Sequence, residues 1–147
     1  MVRSIIAVIV SYITMFVLNF LGFVGLYTVV GPANAFRPRS FLASNRWIAM
    51  AFVIVLLSAI IAGLICAAIA RGRKATLALA GLILVVGLLT AIPAIAKGKA
   101  NAGMARVGDV PAMEAAKLAY WPVWVPFTFP FVSAIGAVVG GKLKKRN

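Results

Sequence analysis

Apolar residues in this chain gather into four long stretches, at 4–30, 47–70, 75–96 and 118–141, and none of the four contains Lys, Arg, Asp or Glu. Each reaches or exceeds the ~20 residues that a helix needs to cross the hydrocarbon of a bilayer. The pattern predicts an all-α integral membrane protein. Four transmembrane helices would form an up-down bundle, and a short interfacial helix would lie before the last span. The whole chain, 1–147, reads as a single four-helix domain in which no soluble unit remains for a separate activity.

Turn and cap residues mark the ends of the spans. Gly31-Pro32 stops the first, and Ser44 or Asn45 is placed to cap the second. Arg71-Gly72-Arg73-Lys74 is too short for anything but an antiparallel hairpin between spans two and three. Pro93 sits near the end of span three, where a membrane helix tolerates a bend. The segment 97–120 is the only long polar one. Within it, Asp109-Val110-Pro111 reads as a helix start with Pro111 at the first position, for a helix over 111–120. Pro122, Pro126 and Pro130 recur every four residues in span four, predicting repeated loss of i→i−4 hydrogen bonds and a kinked entrance. Phe36, Phe41, Trp47, Tyr120, Trp121 and Trp124 lie where an interfacial aromatic belt belongs.

Residues 1–35 invite one further question, since Ala33-Asn34-Ala35 resembles a signal-peptide cleavage site. The apolar stretch before it is about twice the ~7–15 residues of a cleaved signal, so it is expected to be a retained span.

Charge changes the picture in two ways. The chain carries 15 Lys+Arg against 2 Asp+Glu, a net charge of +13. On a soluble fold that imbalance would suggest nucleic acid. Here the cations flank the spans, as Arg71, Arg73, Lys74, Lys142, Lys144, Lys145 and Arg146 do, so the expected contact is anionic lipid headgroups and not nucleic acid. With both termini inside, the inner side holds eight cations and the outer seven. Turn and tail are compact and almost wholly basic, whereas the outer loops are longer and hold both acids. This favours N-in, C-in, in a membrane such as the bacterial inner membrane.

Candidate chemistry is reached mostly by elimination. The chain has no His, and a single Cys, Cys66, inside the second span; its acids, Asp109 and Glu114, both lie in the 97–120 segment. No His/Cys metal cluster and no Ser/His/Asp or Cys/His triad can be assembled from these residues. No cofactor is expected and no catalytic residue is assigned. An enzyme acting on headgroups through Asp109 or Glu114 would have to work from an ordinary solvated helix surface.

Small and polar residues are patterned. Ser11 and Gly22 share one line of the first helix, with Asn19 and Gly25 on either flank. Ser58, Ala62 and Cys66 form a small-xxx-small run in the second span, as do Gly136 and Gly140 in the fourth. Such runs allow close helix approach, and these residues are expected to pack helices. Asn19, the only amide within the four spans, forms a possible pore or polar site with Thr90 and the proline-broken region at Pro126 and Pro130.

Known four-helix membrane designs are set apart on residues. Small multidrug transporters use a carboxylate in the first helix, and none is present here. Quinone reductases of the disulfide pathway need paired cysteines. The polar Arg/Asn/Glu motif of glutathione-dependent trimeric enzymes has no match in the spans. With the small fluoride channels, similarity stops at Asn19 and Phe127, Phe129 and Phe131. The leading expectation is a non-catalytic accessory or structural subunit, packing in a larger membrane complex or homo-oligomer through exposed Gly/Ala/Ser stripes. The alternative is a passive channel or small-solute transporter, working as an oligomer.

Overall fold

The computed structural model of the chain describes residues 1–146. They form six helices: α1 (Val2–Val30), α2 (Pro32–Ala35), α3 (Asn45–Ala70), α4 (Arg73–Asn101), α5 (Ala112–Leu118) and α6 (Trp124–Arg146). No strand occurs among the described residues. Helices α1, α3, α4 and α6 are each long and apolar enough to cross a membrane. The protein is an all-α, multi-pass bundle.

Local chemistry explains where these helices end. Gly31 takes φ +76° and its N–H donates to Tyr27 O at 2.9 Å, closing α1. Pro32 then opens α2, needing no N–H at that position. Ser44 caps α3, its hydroxyl accepting from Trp47 N at 3.1 Å. Arg71 adopts the left-handed conformation that ends α3, and α4 begins two residues later.

Several boundaries differ from the expected ones. Both ends of α4 run past the apolar stretch, taking Arg73, Lys74, Lys97 and Lys99 into the helix, and the helix continues through Pro93. Long cationic side chains keep their charge in the headgroups while their backbone stays helical. Pro111 stands outside α5 as its N-cap, in extended backbone, so α5 is shorter than expected. The last span begins at Trp124 and not near 118. That start removes most of the strain attributed to the proline ladder. Pro122 precedes the helix, and Pro126 falls in the first turn, where no N–H has a helical partner anyway. Only Pro130 is interior.

Neighbours in space are not the neighbours in sequence. The most extensive interface joins α3 and α6. Phe52 stacks on Trp124, Gly136 lies on Ala59, and Gly140 lies on the Ile60 carbonyl, so these two helices run parallel. Along α4 the partners are Gly98 with Tyr120, just before α6, and then Gly87 with Pro130 and Thr76 with Gly141 of α6, an antiparallel pair. Helix α1 packs antiparallel on α3, with Gly22 against Ile54 and Phe23 near Trp47. The α3–α4 hairpin touches little beyond its turn, because α6 lies against both helices, and α1 and α6 barely meet.

The two ends of the bundle are built differently. The start of α1 with Arg3, the Arg71–Lys74 turn and the end of α6 share one end of the bundle. There Arg3 Nε donates to Ile69 O, pinning the start of α1 to the end of α3. Ala7, Ala62, Cys66, Leu79 and Ala137 form the adjoining core. At the other end the loops knit together. Ala43 N donates to Tyr120 O (3.0 Å) and Tyr120 N to Phe41 O (3.1 Å), joining the first loop to the segment after α5. Phe36, Phe41 and Trp47, expected in an interfacial belt, are buried in this cap. Trp124 remains outward, 56% exposed.

Candidate functional site

Because α1 and α6 stay apart, an open cleft remains between them and α4. A cavity of about 280 Å³ lies there, lined by Tyr12, Asn19, Thr90, Pro126, Pro130 and Ser133 among others. All four residues read from the sequence as a possible polar site thus meet at one place, although they come from three helices. Tyr12 and Ser133 were not expected there. Ser133 stands one turn past Pro130, a spacing from which its place was legible; Tyr12 gave no signal beyond lying two turns from Asn19 on the same helix.

Asn19 is the polar centre. Its Oδ1 is buried and has no hydrogen-bond partner among the described residues. A buried amide oxygen without a partner costs about 1–3 kcal/mol, so this atom favours any donor that enters. Thr90 Oγ1 donates to Gly87 O at 3.0 Å, which commits its proton and leaves only acceptor capacity. Pro130 has no N–H, so the Pro126 carbonyl lacks the donor that the next turn normally supplies. Asn19, Thr90 and Pro126 therefore line one cavity with the hydroxyl-bearing Tyr12 and Ser133. What they can do is hydrogen-bond a small polar solute. None of them transfers a proton at neutral pH or serves as an activated nucleophile.

Close packing shapes the walls. A Cβ on Gly87 would come 2.5 Å from Pro130 Cγ, so the absence of a side chain lets the proline seat against α4. A second, apolar cavity of about 410 Å³ lies towards the aromatic end, beside α5. It shares Phe23, Ala94, Trp121 and Phe129 with the central one. Trp121 and Phe129 meet edge to face at 5.3 Å, and Phe23 and Trp121 at 6.3 Å. These rings are the partition between the two spaces.

Among the residues expected to pack helices, Ser11, Ser58, Ala62 and Cys66 are buried. Ser11 and Thr76 flank the Cys66 thiol, although Ser11 Oγ has no partner of hydrogen-bond geometry. Gly22 lies on Ile54, Gly136 on Ala59 and Gly140 on the Ile60 carbonyl. Gly25 departs from the expectation. It is exposed, and a Cβ there would meet nothing within 4 Å. Helix α1 turns its Ser11 and Gly22 line to α3, which points the Gly25 flank outward. Gly63, part of the same small-residue stripe of the second span as Ala62, has one of the closest contacts of all, against the Ala137 backbone.

The cations expected at headgroups, Arg71, Arg73, Lys74, Lys142 and Lys144, are all exposed and share the end opposite the aromatic cap. The side chains of Lys145 and Arg146 lie outside the described residues. No protein-family model, curated protein or solved structure matches this chain.

Proposed function

We propose that this protein is a non-catalytic membrane protein that binds, and passively conducts, a small uncharged solute at the Asn19 cavity. The observation that carries this reading is Asn19, whose Oδ1 is buried without a partner, lining one space together with Thr90, Pro126 and Pro130. At about 280 Å³ the space exceeds the ~30 Å³ of one water several-fold. It is at the low end of ligand pockets, which suits a solute of a few heavy atoms bearing N–H or O–H donors. A cation would find no carboxylate, and an anion no positive group, at this depth. The aromatic partition separates the site from the apolar cavity near the interface, so passage requires those rings to move or a second copy to complete the path.

A role as a structural or accessory subunit is the second reading. One observation favours it: α1 is the least covered span, only 17% of its apolar window being buried. Its outer face, with Ile9, Ile13, Phe16 and Phe20, is open to lipid or to another subunit. The small-residue runs that first suggested this role, however, are largely engaged within the bundle. For either reading we place both termini and the basic turn on the cytoplasmic side, following the positive-inside rule, with the bacterial inner membrane as the setting.

Shrink–swell light scattering of proteoliposomes, with water, urea and glycerol as permeants, tests the first reading. The wild type is expected to exceed empty liposomes for at least one of them. N19L should abolish the excess and G25L should preserve it. Flux equal to empty liposomes for all three would sink the conducting role. Co-purification with larger subunits in fixed ratio would then support the accessory one.

A further inference from the structure

We propose that the cleft where α3 ends, α4 begins and α6 runs out is a defined site for one anionic glycerophospholipid, its phosphate held by Arg71, Arg73, Lys142 and Lys144. The proposal rests on the membrane-spanning reading and is independent of the Asn19 cavity. The cleft measures about 560 Å³. Its four cations come from three separate pieces of backbone: the left-handed corner at Arg71, the first turn of α4 and the last turns of α6. One or two turns deeper along the same helices, the wall becomes Ala67, Leu77 and Val138. Cationic at the mouth and apolar below, the cleft matches a phosphate joined to acyl chains.

Charge balance points the same way. The acids, Asp109 and Glu114, lie in the segment 102–118 at the far end of the bundle. Helices of this length put them roughly 40 Å away at 1.5 Å per residue. That is several times the ~10 Å Debye length, so they do not neutralise the cleft. Arg3 and Lys74 add to the positive field at this end, which neither Asp109 nor Glu114 offsets. Two guanidinium groups offer planar paired donors to phosphate oxygens, and two ammonium groups add point charge. A nucleic acid would need a broad basic face, whereas this one is a cleft with apolar walls. Soluble phosphate would leave those walls unfilled.

Native mass spectrometry of the full chain, released into mild detergent from vesicles of equimolar phosphatidylglycerol and phosphatidylcholine, tests the site. One phosphatidylglycerol should stay bound per chain, in preference to phosphatidylcholine. Retention should fall about fivefold for each cation removed in R71Q and K142Q. R71K, which keeps the charge, should retain the lipid, as should R37Q/R39Q at the opposite end. Melting temperatures of all variants, taken in parallel, show that the bundle is intact. Equal retention of both lipids, or a phosphatidylglycerol adduct indifferent to R71Q and K142Q in folded protein, would overturn the proposal. So would inorganic phosphate binding as tightly as the lipid, which would make the cleft a site for the free ion.

Discussion

The aromatic end and the basic end of this bundle reach tight packing by opposite means. At the aromatic end, rings fill space. A continuous series of contacts runs Phe41, Phe36, Tyr27, Trp47, Phe23, Trp121, Phe129, Phe52 and Trp124, with centroids 4.9 to 6.3 Å apart. Backbone and tyrosine hydrogen bonds then tie the loops across it, including Tyr27 Oη to Val110 O at 2.6 Å. At the basic end, missing side chains let backbones touch, at Gly63 on Ala137 and Gly140 on Ile60. The difference teaches where each end tolerates change. A ring can be trimmed and leave a hole that lipid or neighbours partly fill. A side chain added between two backbones has nowhere to go.

That contrast is open to direct attack, starting with the largest effect. G63L together with G140L should prevent α3 and α6 from seating, leaving no cooperative unfolding transition in detergent. A normal melt for that double variant would mean the glycine contacts are not what holds the basic end. W47A should cost about 3 kcal/mol and keep a cooperative transition, as large-to-small changes in a packed core do. Its cost is measurable by denaturant titration in micelles, and a neutral result would show that the aromatic series is ornament to the loop bonds. Y27F keeps the ring and removes only the bond to Val110, so about 1 kcal/mol should be lost. G25A, in open space on α1, should have the opposite sign, stabilising by up to about 1 kcal/mol through helix propensity. Destabilisation by G25A would mean that this face is covered.

Much of the fold was legible because the spans differ so sharply in composition from what joins them. Gly31-Pro32 and Ser44 mark real ends, since a positive φ and a hydroxyl cap are local needs that local residues reveal. Partner choice was not legible. Small-residue runs occur on α1, α3 and α6, and such a run states that a helix approaches something closely without naming what. The parallel α3–α6 pair therefore could not be read, nor could the partner of Gly63, which lies more than 70 residues away. The proline ladder was misjudged for a related reason: the cost of a proline depends on where the helix starts, and the cap formed by Tyr120 with Phe41 and Ala43 sets that start from a distance. That Asn19, Thr90, Pro126 and Pro130 line one cavity was partly legible. Asn19, Thr90, Pro126 and Pro130 stand out in so apolar a chain, and a buried acceptor needs company whichever helix supplies it.

The α3–α6 contact also sets an order of events during synthesis. Helix α3 is made before α6, carrying at Gly63 the groove in which the Ala137 backbone comes to lie. Until α6 is made, that groove faces lipid or whatever other helix is nearby, and α4 lacks its main neighbour as well. The tightest interface of the protein is thus the last to close, so the interval between the third and fourth spans is when the growing chain is most exposed to wrong partners and membrane proteases.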